Sequence, residues 1–137
     1  MTDTIRRVDY FYILTPNRPG EAARALKALK DAGINLLAFS GFPKGRRAQL
    51  DFIPADPAAL VKAAKRAGWK LSAKKSCFLI QGEDRPGAVA DTLGKLADAK
   101  INVTAVDAVC AGADHYGAIL WVKPPDLKRA AKALGAT

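Results

Sequence analysis

At 137 residues the chain has room for one domain or two small ones, and with 50% hydrophobic and 26% charged residues it reads as a folded globular protein, which excludes disorder as its main character. No apolar run approaches the roughly 18 residues that a membrane span needs. Residues Met1 to Arg7 hold no apolar signal region, and two cysteines without paired spacing beside a single histidine exclude a recognisable metal set or disulfide framework. The expected location is the cytoplasm, with no cofactor. The net charge of +9 is uneven: residues 1–73 carry 13 basic and 6 acidic side chains, residues 74–137 carry 9 and 7. A basic half can attract nucleic acid or an acidic partner, but most of its lysines fall on the polar faces of predicted helices, where they serve solubility.

Val8 to Leu14, aromatic and β-branched, predicts a strand that ends at Thr15-Pro16. Asn17-Arg18-Pro19-Gly20 then opens a helix near Pro19, where a missing N–H costs least, with Ala22, Leu26, Leu29 and Ala32 on its inner face and Gly33 as its stop. Asn35–Phe42 and Ala48–Ile53 form an antiparallel hairpin about a turn at Pro43–Arg47. Asp56 is the N-cap of a second helix with Leu60, Val61, Ala64 and Ala67 inward, ended by Gly68, and Trp69-Lys70-Leu71 is a short closing strand. The order is βαββαβ.

Residues 72–75 are a polar break, so the expected domains are 1–73 and 74–137. The second starts with a strand at Ser76–Gln81. Asp84-Arg85-Pro86-Gly87 opens a helix from Pro86 to Ala99 with Val89, Leu93, Leu96 and Ala97 inward. Strands at Asn102–Cys110 and Tyr116–Lys123 follow, then a helix entered through Pro124-Pro125-Asp126 that turns Leu127, Ala130, Ala131 and Leu134 inward. Pro19/Pro86, Leu26/Leu93, Leu29/Leu96 and Asn35/Asn102 share one offset of 67 residues, which marks a tandem repeat. Most of a last strand is missing from the second copy. Its absence would leave the Ser76–Gln81 edge unpaired, so the edge must be covered by the neighbouring module or another subunit. Tyr10, Tyr12 and Leu14 in one copy, and Cys77, Leu79 and the doubly apolar Ile119-Leu120-Trp121-Val122 in the other, predict that the sheet surfaces opposite the helices are covered too.

A strand, then [Asn/Asp]-x-Pro-Gly opening a helix, then Gly33-Ile34-Asn35 or Lys100-Ile101-Asn102 leading into the next strand, resembles the ACT domain, and the resemblance covers nearly the whole chain. It implies an α+β fold of two ferredoxin-like βαββαβ modules with antiparallel sheets. It further implies a non-catalytic regulatory protein that binds a free amino acid between modules, pairs as a homodimer and acts on a partner enzyme or regulator of amino-acid metabolism. Carried over, the family site nominates Asn17, Arg18, Pro19, Gly20 and Glu21 with Asn35 and Leu36. The second copy nominates Asp84, Arg85, Pro86, Gly87 and Ala88 with Asn102 and Val103.

The residues suit that chemistry. A helix N-terminus presents positive partial charge and free amides to an α-carboxylate, and Gly20 or Gly87 lets a ligand approach the backbone. Asp84 can accept from an α-ammonium, where the first copy has Asn17, and Asn35 and Asn102 offer both donors and acceptors. Pro-Gly is also a common structural turn, and an Asn after a helix often serves only its own loop. Binding by one loop or by both stays open, with the carboxylate of Asp84 favouring the second. Three other readings remain. Nucleic-acid binding fits the basic half, but the third strand, Ala48-Gln49-Leu50-Asp51-Phe52-Ile53, lacks the aromatic pattern of RNA-binding sheets. Another is a ligand-free module that holds a larger enzyme together. A catalytic reading rests on His115 beside Asp114 without a nucleophile motif.

Overall fold

The structure, a computed structural model, describes residues 3–137; Met1 and Thr2, which begin the first predicted module, lie outside it. The chain is α+β. It runs β1 (Thr4–Pro16), α1 (Glu21–Asp31), β2 (Leu36–Lys44), β3 (Arg47–Pro54), α2 (Pro57–Ala67), β4 (Lys75–Glu83), α3 (Ala88–Asp98), β5 (Ala105–Gly112), β6 (His115–Trp121), a 3-10 turn at Pro124–Asp126 and α4 (Leu127–Leu134). The order βαββα occurs twice. Two compact units result, one of Asp9–Lys75 and one of Ser76–Thr137 together with the chain up to Val8.

In the Asp9–Lys75 unit the strand order is β2-β3-β1. β1 and β3 pair antiparallel with Phe11 opposite Phe52 and Ile13 opposite Leu50, and β2 pairs β3 with Phe39 opposite Phe52. These positions share the face that α1 and α2 cover. Their core is Phe11, Ile13, Ala25, Leu29, Leu50, Phe52, Leu60 and Ala63, with Trp69 and Leu71 packed on it. The predicted closing strand at 69–71 is not a strand. Ser72 donates its N–H to the Tyr12 carbonyl at 2.9 Å, but it is the Ser72 hydroxyl, at 2.9 Å, that accepts the Tyr12 N–H, so a side chain ends the ladder after one link.

In the other unit the order is β1-β4-β6-β5. The edge of β4 that lacks a last strand of its own copy is covered, as expected, by chain from the first predicted module, since β1 lies beside it. Thr137 supplies what remains of a last strand, donating to the Ile5 carbonyl at 3.1 Å and accepting from the Arg7 N–H at 3.0 Å. Phe78 lies opposite Leu120 and Ile80 opposite Ala118, and these join Ile5, Leu96, Ile101, Tyr116, Ala130 and Leu134 in the core beneath α3 and α4.

Capping residues behave as their chemistry requires. Asp56 accepts from the Ala59 N–H at 3.2 Å, and Gly68 closes α2 at φ 73°. Lys100, in the place of Gly33, adopts the same left-handed backbone at φ 59°. The helix faces differ in phase from expectation. Ala32, Ala67 and Ala97 are exposed and Val61 is 45% exposed, because Leu60, Ala63 and Ala64 face the sheet and a residue one step from Leu60 points about 100° away. The offset of 67 residues also breaks once. Phe39 and Val106 keep the offset of 67, but their partners Phe52 and Leu120 differ by 68, since the β5–β6 hairpin carries a bulge between Cys110 and Gly112.

On the sheet face away from the helices, Cys77, Leu79, Ile119 and Trp121 are buried, as their apolar character requires. In the Asp9–Lys75 unit Tyr10 and Tyr12 are half-buried, while Leu14 and Phe42 are each 41% exposed in the single chain. Between them in register lie Gln49 and, one pair along, Asp51, both buried. The Gln49 Nε2 donates to the Asp51 carboxylate at 2.9 Å, which leaves Gln49 Oε1 buried with no donor among the described residues. Burial pushes the Asp51 carboxyl above its ordinary value of 3.8, against the Gln49 bond and the charges of Lys44 and Lys75. Such a group binds its proton more tightly folded than unfolded. Its penalty is thus complete above the raised pKa and fades as pH falls towards 3.8. Asp51→Asn removes the buried charge and brings an N–H that Gln49 Oε1 can accept. We expect it to stabilise the protein by about 1 kcal/mol at pH 7 and by less at pH 4, as read by urea unfolding; a loss of stability at pH 7 would contradict this account of Asp51.

Candidate functional site

The nominated loops build the same feature twice. β1 ends at Pro16, whose carbonyl accepts the Arg18 N–H at 3.1 Å, and the chain turns through Gly20 at φ 90° into α1 with no side-chain cap. β4 likewise passes through Gly87 at φ 82° into an uncapped α3. Positive φ is what makes glycine the residue of choice at both places. With no serine, threonine or acid capping either helix, the Glu21 N–H turns back to the Arg18 carbonyl at 3.5 Å and the Ala88 N–H to the Arg85 carbonyl at 3.3 Å, and the amides that follow them are left for solvent or a ligand.

Beside each turn lies a hollow. The first, about 370 Å³, is lined by Thr15, Asn17, Arg18, Glu21 and Ala22 and, across from them, by Phe39, Gly41 and Phe42 of β2. The second, about 280 Å³, is lined by Asp84, Arg85, Gly87 and Ala88 with Ala108, Val109 and Cys110 of β5 and Tyr116 of β6. A further hollow of about 310 Å³ between α1 and α2 contains none of the nominated residues.

The loop residues Asn17, Arg18 and Glu21, and Asp84, Arg85, Gly87 and Ala88, are thus brought together with the middle or far end of the following strand. Pro19, Gly20 and Pro86 shape the turns without lining the hollows. Asn35, Leu36, Asn102 and Val103 lie at the opposite end of α1 or α3. There the Asn35 carbonyl accepts the Ala55 N–H at 2.9 Å, and Leu36 and Val103 pack on their own cores. Within a unit, the two halves of each nominated set do not meet.

The loop charges are partly committed. Arg18 Nε donates to Glu21 at 2.8 Å, and Arg24 reaches the same carboxylate at 3.1 Å. The bond from Arg18, followed by that from Arg24, holds the Glu21 carboxyl below its ordinary value despite some desolvation. In the second loop the Cys110 thiol donates to Asp84 at 3.1 Å, which raises the thiol pKa and keeps it protonated, the opposite of what a nucleophile needs. Arg85 donates to both carboxylate oxygens of Asp3, Nη1 at 3.0 Å and Nη2 at 3.3 Å, and Nη1 also donates to the Glu83 carbonyl at 3.1 Å. Tyr116 donates its hydroxyl to the same Asp3 carboxylate at 2.8 Å. The Arg85 bond, then that of Tyr116, pulls the Asp3 carboxyl below 3.8 against its burial. Tyr116, desolvated and bonded to an anion, is pushed up to about 12. A depressed carboxyl contributes stability that is present above its unfolded value and lost as pH falls through its folded one.

Tyr116, Cys110, Phe42 and Asp3 are among the site residues that sequence reasoning missed. Tyr116 alternates as a core strand residue, and Asp3 gives no signal because its partner lies 82 positions away. Among the described residues no three His, Cys, Asp or Glu side chains gather as a metal-ligand set, and no helix is long and apolar enough to cross a membrane.

The sequence matches no family model and no curated protein. Solved structures do match. The protein BT0572 from Bacteroides thetaiotaomicron superposes with a TM-score of 0.81 at 19% identity, over 96% of this chain and 88% of that one. The fold is ACT-like. The regulatory subunit of aspartate kinase from Thermus thermophilus, in its ligand-free form, matches at 0.65 and 18% identity, over 98% of this chain and 95% of that one. The corresponding subunit from Thermus flavus matches at 0.58 and 18%, over 98% and 94%. At these identities the likeness is one of fold, and this ACT-like chain carries its own residues at the two hollows.

Proposed function

We propose that this chain is a non-catalytic regulatory protein of tandem ACT-like domains that binds a free amino acid at its helix-opening loops and modulates a partner in amino-acid metabolism. The observation that carries the reading is the repetition of one feature: a left-handed glycine, an uncapped helix start and a hollow of metabolite size at corresponding places in both units. Exposed Asn17 and Asp84 are the acceptors available to an α-ammonium, and the first-turn amides after Glu21 and Ala88 are the donors for an α-carboxylate. Each hollow is open, so in this reading a second copy of the chain completes the pocket, with Asn35 or Asn102 brought in from the partner domain. That two of the similar structures are regulatory subunits of an amino-acid kinase supports the same class of role. Cys110 is a thiol held protonated, and exposed His115 is paired across the sheet with Glu83 in backbone register alone, so neither forms a catalytic pair.

The test is a thermal-shift screen of the twenty amino acids. A ligand that binds only the folded state at a concentration a hundred times its Kd adds about 2.7 kcal/mol to stability, a rise of several degrees for a domain of this size. At least one amino acid at millimolar concentration is expected to raise Tm. If none does, the sensor reading fails and the chain is better read as an assembly subunit.

A further inference from the structure

The contact between Asp3 and the second loop has no counterpart in the first. Arg85 presents two nitrogens to the two oxygens of Asp3, the geometry in which a guanidinium recognises a carboxylate. Tyr116, 4% exposed, adds a hydroxyl donor from beneath, and Lys95 adds positive potential. Gly82 forms the floor. A methyl group at that position would overlap the Asp3 carboxylate and crowd the Tyr116 ring, so a bare backbone is required for the carboxylate to sit there. On the outer side Asp91 reaches Arg85 at 3.5 Å, which helps hold the guanidinium in place.

None of this is inherited from the repeat. By the offset of 67, Thr15 stands where Gly82 is, and Arg18, the counterpart of Arg85, is turned to Glu21. By the offset of 68 that holds beyond the hairpin, Ala48 stands where Tyr116 is. The donors of the second loop therefore form a carboxylate site in their own right, and the group inside it belongs to the chain. Arg85 and Tyr116 also line the second hollow, and Arg85 keeps 29% of its side chain exposed, so the site opens to solvent next to the place where a ligand would lie.

We infer that Arg85, Tyr116 and the bare backbone at Gly82 form a clamp for the carboxylate of a small free acid, and that Asp3 is its tethered competitor. The inference deepens the sensor reading, on which the identity of the natural ligand as an amino acid rests; the clamp itself stands on the geometry above. Binding of such an acid at the second loop then requires Asp3 to leave, and affinity there is reduced by the fraction of time that the clamp is closed.

Acetate, the smallest stand-in for the Asp3 side chain, is the probe. In Asp3→Ala the clamp is vacated, and acetate is expected to shift the Arg85 side-chain and Tyr116 ring resonances with an apparent Kd at least about tenfold lower than in the unaltered protein, as follows if Asp3 closes the clamp nine-tenths of the time. Adding Arg85→Ala to Asp3→Ala should abolish the response. Asp3→Asn, which keeps the shape and loses the charge, serves the same test if the alanine variant does not fold. Equal acetate affinity with and without the Asp3 carboxylate overturns the proposal, as does an undiminished response in the double variant. The acetate result is independent of the amino-acid screen: a responsive clamp in a protein that ignores all twenty amino acids sinks the sensor reading alone, and an inert clamp in a protein that binds one sinks only this inference.

Discussion

Phe52→Ala is expected to lower the unfolding free energy of the Asp9–Lys75 unit by about 4 kcal/mol, among the larger losses a single truncation produces. Phe52 is fully buried at the centre of β3, where the register places Phe11 on one side and Phe39 on the other. Its ring lies 5.6 Å from that of Phe39, and it stacks on Trp69 at 5.7 Å with the planes 17° apart. Truncation removes the transfer energy of the ring and both aromatic contacts, and it leaves a cavity that strands hydrogen-bonded on both sides cannot close. Phe52→Leu keeps most of the volume and should cost only about 1.5 kcal/mol. Trp69 reports the change directly if Trp121 is first replaced by Phe. The urea midpoint followed by Trp69 fluorescence should fall with an unchanged slope, and a loss under about 1 kcal/mol would show that β3 is not the centre of that core.

Much of that core is legible in the sequence, because positions that share one offset of 67 residues constrain one another. Matching Phe11 and Ile13 to Phe78 and Ile80 sets the phase of two strands at once, and Leu29 and Leu96, fixed by the same offset, are both buried under their helices. Capping chemistry is equally local: Asp56 and Gly68 act within a turn of their own positions. What sequence does not reveal is decided at a distance. The bulge in the second hairpin lies beyond Asn102, the last matched residue, so nothing in the repeat discloses that the offset becomes 68 there. Val61 reads as core on hydrophobicity, yet small Ala63 and Ala64 are what let α2 approach the sheet. For the site, the loops are legible through Pro-Gly and the glycine backbone. Their partners are not, since Phe42, Cys110 and Tyr116 are brought opposite the loops by strand register, and Asp3 by the position of β1 beside β4.

Gly87→Val is the variant that joins fold to function, and it is expected to cost about 2 kcal/mol while removing any ligand response of the second loop. Gly87 sits at φ 82° and ψ 8°, a region where a β-branched side chain is strained whatever surrounds it. A side-chain carbon at this position meets nothing within 4 Å, so the stability loss is one of backbone conformation and not of collision. Gly87→Ala, with no branch, should cost about 1 kcal/mol, and Lys100 at φ 59° shows that the chain tolerates a residue of that kind in the left-handed region. Gly87 also lines the hollow shared with Asp84, Arg85 and Tyr116, so a side chain added there stands beside the proposed ligand. Gly20→Val is the matched experiment, since Gly20 at φ 90° also meets nothing within 4 Å. Titration of each variant with whichever amino acid stabilises the unaltered protein then assigns the site. Loss in Gly87→Val alone places it at the second loop, loss in Gly20→Val alone at the first, and loss in either one makes both loops necessary. Retention of full affinity in both variants would show that binding does not need the glycine backbone of the helix-opening turns, and would count against a ligand carboxylate held close to it.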